Sequence, residues 1–187
     1  MTHRSFEGAT VLVTGAGGGL GRALALRFAT AGANIVALDK DADGIARLAA
    51  ELGERGKACL ALPGDVTDAG ACARAVAQAV ERFGSLDVLV NNAGMSHRSG
   101  FAVTGLDVIR RVMDVNFFGA VNCTKAALPH LVARRGLVVV ISSVAGYTPL
   151  VARTGYAASK HAVQGFFDSL RTELAPGGVD VMVACPS

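Results

Sequence analysis

The sequence predicts one α/β domain, a doubly wound parallel sheet with helices on both faces. Short β-branched runs alternate with longer Ala-, Leu- and Arg-rich segments of helical period along all 187 residues. Those runs are continuously apolar rather than alternating, as strands covered by helices on both faces must be. The connections are short, with no linker, internal repeat or low-complexity stretch, and six such β–α alternations define the architecture over 1–187.

Taken in order, residues 10–14 (Thr-Val-Leu-Val-Thr) form the first strand, followed by a glycine-rich turn and a helix over 20–31. Residues 34–38 form a second strand and 42–53 a helix; 58–62 form a third strand and 68–83 a helix. Thr67 or Asp68 suits the N-cap of that helix, since either side chain accepts from an otherwise free backbone N–H. The fourth strand is predicted at 86–90, followed by one long helix over 106–133 with Pro129 near its end. The fifth strand falls at 137–141, the last helix at 155–174 and the sixth strand at 179–184.

Composition narrows the function classes. Hydrophobic residues make up 51% and charged residues 18% of the chain, which excludes a disordered segment. A net charge of +3 is too small and dispersed to argue for nucleic acid or a membrane surface as partner. No apolar run approaches the length of a membrane span, and residues 1–8 carry no apolar signal-peptide core. The four cysteines, Cys59, Cys72, Cys123 and Cys185, form no metal-ligand or disulfide spacing; they read as reduced thiols of a cytoplasmic protein, with no metal site.

The chemistry begins at Thr14-Gly15-Ala16-Gly17-Gly18-Gly19-Leu20-Gly21. A strand, a glycine turn and a helix N-terminus make a phosphate site: glycine lets the backbone approach a pyrophosphate, and free N–H groups meet its charge. The spacing is Thr-Gly-x-x-x-Gly-x-Gly, and the absence of a following Gly-Lys-Ser/Thr excludes a P-loop NTPase. Asp39 closes the second strand, where an acidic residue accepts the ribose hydroxyls of adenosine and repels a 2′-phosphate. The alternative for Asp39 is a cap for the helix that begins near Asp41. Tyr156 and Lys160 are four residues apart and share one helix face. A phenol with a reference pKa of about 10 is a weak base at neutral pH, and a neighbouring ammonium favours its phenolate.

Ordered motifs continue through the chain: Asp65-Val66 after the third strand, Asn91-Asn92-Ala93-Gly94 after the fourth, and Asn116 within the long helix. Ser142-Ser143 follow the fifth strand, and Tyr156-Ala-Ala-Ser-Lys160 opens the last helix. With the glycine turn, these resemble the short-chain dehydrogenase/reductase family from Val11 to Pro186. The resemblance implies a Rossmann-like fold and an NAD cofactor, with NADP less favoured by Asp39. It also implies hydride transfer between a secondary alcohol and a carbonyl. It assigns Tyr156 as the acid/base, Lys160 as the group that lowers the tyrosine pKa and holds the nicotinamide ribose, and Asn116 as support for a water-borne proton relay. Family spacing places the serine thirteen residues before the tyrosine, so Ser143 polarises the substrate oxygen and Ser142 is structural.

The cofactor-binding set implied is Gly15, Gly17, Gly18, Gly19, Leu20, Gly21, Asp39, Asp65, Val66, Asn92, Ala93, Gly94, Tyr156, Lys160 and Pro186, with Asn91 also in the segment along the cofactor. Tyr147, Leu150 and Val151 are candidates for the substrate pocket, His97 reads as a surface-loop histidine and His161 points away from the site. The expected partners are a small-molecule alcohol or carbonyl and further copies of the chain, as a homodimer or homotetramer through the long helices. Two alternatives stay open: an NADPH-dependent carbonyl, lipid or steroid reductase, and a dinucleotide sensor without turnover. The family continues past the sixth strand with Pro-Gly, a substrate lid and a seventh strand; Ser187 follows Pro186 here, so the native polypeptide is expected to continue beyond it.

Overall fold

The computed structural model describes residues 4–186, so Ser187 and the expectation attached to it lie outside the described residues. Six parallel strands form one sheet in the order β3-β2-β1-β4-β5-β6. They are β1 (Thr10–Thr14), β2 (Asn34–Asp39), β3 (Cys59–Pro63), β4 (Val88–Asn91), β5 (Leu137–Ile141) and β6 (Asp180–Ala184). The helices are α1 (Gly19–Thr30), α2 (Ala42–Glu54), α3 (Ala69–Phe83), α4 (Leu106–Met113), α5 (Gly119–Arg134) and α6 (Thr154–Leu174).

The strand order reverses between β1 and β4, which pair at Val11–Val88, Leu12–Leu89 and Val13–Val90. At such a reversal the loops beyond the carboxyl ends of the strands diverge to opposite faces and leave a crevice. Alternate side chains of each strand go to opposite faces. Leu12, Val36, Leu38, Leu89, Val138 and Val140 pack with α3, α5 and α6. Val11, Val13, Ile35, Ala37, Val88 and Val90 pack with α1 and α2. On α2 the stripe Ile45, Leu48 and Leu52 is buried, and each such side chain contributes roughly 1.5–3 kcal/mol.

Local signals set the helix ends. Asp68 caps α3 by accepting from Gly70 N at 2.7 Å, and α3 stops at Gly84, whose φ of 81° suits glycine. Asp41 caps α2 by accepting from Gly44 N at 3.0 Å. The long helix expected at 106–133 is interrupted: Asp114–Phe118 form a π turn between α4 and α5. Short 3₁₀ turns at Phe101–Val103, Val144–Gly146 and Ala175–Gly177 also go beyond the expected elements. The fourth strand starts later than expected, at Val88, and takes in Asn91. Among the described residues β6 pairs with β5 alone, and Met182 on it is exposed.

Candidate active site

The glycine turn is tied to the end of β4 by one threonine. Thr14 Oγ1 accepts from Asn92 N and Ala93 N, both at 3.0 Å, and donates to Val90 O at 3.3 Å. Asn92 Nδ2 returns bonds to Thr14 O at 3.0 Å and Gly15 O at 3.2 Å. The backbone approach is too close for a side chain. A Cβ on Gly15, whose φ is +66°, would meet Ala93 Cα at 2.9 Å, and one on Gly21 would meet Gly15 O at 2.0 Å. Among the described residues nothing lies against Gly18 or Gly19 at the start of α1, and no side chain caps that helix. That leaves first-turn N–H groups available to an anion, so the turn fits a pyrophosphate.

Asp39 braces this turn from β2. Its Oδ2 accepts from Gly17 N at 2.8 Å and its Oδ1 from Asp41 N at 3.0 Å. The helix cap is Asp41, so the capping alternative for Asp39 is not what the fold uses. A carboxylate has about four acceptor positions, so two bonds leave capacity for ribose hydroxyls. Asp65 is exposed and holds Thr67 through N and Oγ1, each at 2.9 Å. The neighbouring Val66 is buried, and its carbonyl accepts from Asn122 Nδ2 at 3.1 Å.

These groups line a cleft of about 1120 Å³ at the carboxyl ends of β1 to β4, bounded by Gly15, Gly18, Asp39, Asp65, Val66 and Ala93. Asn92, Gly94 and Met95 line both this cleft and a second cavity of about 340 Å³, which also holds Ser143, Tyr156, Lys160 and Pro186. A large polar-walled cleft joined to a smaller reactive one suits a dinucleotide and a small molecule side by side. Gly17, Gly19, Leu20 and Gly21 do not line either cavity; they shape the turn or open α1.

In the smaller cavity Lys160 is 5% exposed and donates from Nζ to Ile141 O at 2.7 Å. Burial pulls its pKa down to about 8, partly offset by Cys185. Its ammonium lies 5.8 Å from the Tyr156 ring centre, and the Arg153 guanidinium lies at the same distance from that ring. Arg153 also bonds Ser96. Ser143 is largely buried with Oγ accepting from Ala145 N at 3.2 Å, which leaves its proton free to donate. Ser142 lines the same cavity and donates to Lys160 O at 3.4 Å.

Asn116 lies on the π turn and is buried. Its Oδ1 accepts from Met95 N at 2.7 Å, and Nδ2 donates to Met95 O at 3.0 Å and Ser159 Oγ at 2.9 Å. Ser159 Oγ in turn donates to Tyr156 O at 2.7 Å, so Asn116 ties the β4 loop to the first turn of α6. Asn91 is structural, donating to Thr124 Oγ1 at 2.9 Å.

Several expectations need correction. Tyr147, Leu150 and Val151 are exposed and line neither cavity, although the Tyr147 hydroxyl lies 3.7 Å from Cys185 Sγ. His97 is half-buried rather than on the surface, with Nε2 enclosed beside Arg153 and Tyr156 and without a hydrogen-bond partner among the described residues. His161 is exposed, with Nδ1 2.9 Å from Ala157 O, as expected. Among the described residues no His, Cys, Asp or Glu cluster suits a metal, and no helix is long and apolar enough to cross a membrane. Thr14, Met95, Ser96 and Arg153 were not among the expected site residues. Thr14 had a signal, as the first residue of the glycine motif.

The model of the family described as short chain dehydrogenase matches residues 9–187. The chain is 44% identical over 186 residues to dehydrogenase/reductase SDR family member 7B of Bos taurus, covering 95% of this chain and 57% of the relative. It is 40% identical over 182 residues to dehydrogenase/reductase SDR family member 7 of Homo sapiens, covering 94% and 54%. The chain therefore spans little more than half the length of these relatives. The apo form of LigO from Sphingobium sp. strain SYK-6 superposes with a TM-score of 0.94 at 28% identity, covering 98% of this chain and 69% of that one. A short chain dehydrogenase/reductase from Burkholderia phymatum in complex with NAD gives 0.93 at 28% identity, covering 98% and 66%. A matching model over almost the whole chain, on this sheet and this cleft, places the chain in the short-chain dehydrogenase/reductase family of oxidoreductases.

Proposed function

We propose that the protein interconverts a secondary alcohol and a carbonyl with NAD, and that Ser143, Tyr156 and Lys160 carry the chemistry. The observation behind this is their placement in one cavity that shares Asn92, Gly94 and Met95 with the cleft holding Asp39. The nicotinamide ring, when bound, supplies or accepts the hydride. The glycine turn receives the pyrophosphate on the free N–H groups that open α1, and Asp39 accepts from the adenosine ribose. Asp65 and Val66 flank the base, while Asn92 to Gly94 and Pro186 follow the rest of the cofactor.

At the reacting oxygen, Ser143 donates a hydrogen bond and Tyr156 passes a proton to or from it. Lys160 is protonated at neutral pH, because its pKa of about 8 lies above 7. It thus presents a cation close to the phenol and a donor for the nicotinamide ribose. The same low value lets it give up and regain a proton near neutrality, as a relay requires. Asn116 holds Met95 and the Ser159–Tyr156 turn in register with it and supports the water that continues the relay. Support for NAD over NADP comes from Asp39, whose carboxylate opposes a 2′-phosphate.

The direct test is Tyr156→Phe, assayed by absorbance of reduced nicotinamide on secondary alcohols that the parent accepts. Turnover is expected to fall by roughly 100-fold or more with NAD affinity within about twofold of the parent. Near-parental turnover would overturn the mechanism. NAD binding without turnover by the parent on any alcohol or carbonyl would favour the dinucleotide-sensor reading.

A further inference from the structure

Cys72 lies in the first turn of α3 and Cys123 in α5, and these helices pack side by side. The two Sγ atoms are 3.1 Å apart, with Cys123 donating to Cys72, and both residues are buried. A disulfide needs about 2.05 Å, so closure asks for a movement of only about 1 Å. Cys72 also donates to Val66 O at 3.5 Å, the carbonyl that Asn122 holds from the other side. Val66 is a wall of the larger cleft and abuts Gly119, where an added Cβ would sit 2.5 Å from Val66 Cγ2. The thiol pair therefore lies behind Val66, at the end of the cleft assigned to the adenine.

The two thiols are unequal. The bond donated by Cys123 holds the Cys72 thiol below its ordinary value, while that bond and burial push Cys123 well above it. Cys59, by contrast, is pushed up to about 11 by burial and has no sulfur neighbour among the described residues. Cys72 also sits at a helix start, where local opening is least costly.

We propose that Cys72 and Cys123 are a redox-modification site, at which hydrogen peroxide closes a disulfide that weakens the hold on the dinucleotide. The Cys72 thiolate attacks one peroxide oxygen, the O–O bond breaks, and hydroxide leaves to take up a proton as water. Cys123 sulfur then attacks Cys72 Sγ, forming the S–S bond and expelling the hydroxyl as a second water once protonated. Two thiols are oxidised by two electrons in all, and one peroxide is reduced to two waters. The disulfide removes the S–H donor from Val66 O and draws the start of α3 toward α5. The effect on binding rests on the cofactor reading above; formation of the disulfide does not.

The experiment treats the protein with hydrogen peroxide, maps peptides by mass without reduction, and titrates NAD by calorimetry before oxidation, after it, and after dithiothreitol. The expected result is a peptide pair cross-linked through Cys72 and Cys123. NAD affinity should fall about three- to tenfold, the scale of one lost hydrogen bond, and return on reduction. Cys72→Ser keeps a hydroxyl donor for Val66 O and removes the thiol that peroxide attacks, so it should show no such cross-link, and peroxide should leave its NAD affinity within about twofold. Absence of the cross-linked pair, or a cross-link with unchanged NAD affinity, would overturn the proposal. Failure of the reduced parent to bind NAD would instead overturn the cofactor reading and the binding consequence with it, while the mass map still decides the disulfide.

Discussion

Replacing Lys160 with methionine isolates the cost of burying its charge. Lys160 is 5% exposed, and among the described residues its ammonium has one protein acceptor, Ile141 O at 2.7 Å. Burial pulls its pKa from 10.5 to about 8 in the folded chain. Below pH 8 both folded and unfolded chains carry the proton, so this group adds no slope to stability. Between about 8 and 10.5 the unfolded chain still binds a proton that the folded chain has released, so stability rises with pH. Each pH unit is worth up to about 1.4 kcal/mol, and the whole window at most about 3 kcal/mol. Lys160→Met keeps the length of the side chain and removes the titration. Urea unfolding of parent and variant from pH 7 to pH 10, at one ionic strength, gives the difference in stability at each pH. That difference should be flat near pH 7 and then move in favour of the parent by about 2 kcal/mol toward pH 10. A difference that stayed flat throughout, or moved the other way, would refute the argument that Lys160 is held desolvated.

Two further outcomes test Asp39 and Asn116. Asp39→Ala should erase an NAD preference of about tenfold or more over NADP, a difference of about 1.4 kcal/mol, measured by titrating both dinucleotides at one salt concentration. Tighter binding of NADP by the parent would overturn the ribose assignment. Asn116→Ala removes three hydrogen bonds and leaves Met95 N and Met95 O without those partners, so denaturant unfolding should show a loss of about 1–3 kcal/mol. A loss smaller than about 0.5 kcal/mol would show that the β4 loop and α6 are held together by other contacts.

The strands were legible because a buried parallel strand leaves a plain trace, an unbroken apolar run such as Leu137–Ile141. The glycine motif was legible because Gly15 and Gly21 stand where any Cβ would meet backbone. What stayed hidden has no local signature. The π turn at Asp114–Phe118 shares the helical composition around it, so the sequence reads through it as one helix. The bond by which Asp39 braces Gly17 joins the end of β2 to the glycine turn, 22 residues away in sequence. The exposure of Tyr147, Leu150 and Val151 follows from the path of the loop, since apolar type alone does not say which side chains a fold covers. Cys72 and Cys123 are 51 residues apart, and only the packing of α3 on α5 makes them neighbours.

The π turn also changes the phase of the long helix. In it Gly119 N reaches back five residues to Asp114 O, which amounts to one residue inserted into the α-helical register. One residue corresponds to about 100° of rotation, so the apolar stripe of α5 no longer continues that of α4. The first half can then lie against α6 and the second against α3, on different sides of a nearly continuous rod. Asn116 stands at the seam between the two halves, where its buried amide bonds both the Met95 backbone and Ser159. A single extra residue thus lets one helix serve as a joint between two layers of the molecule.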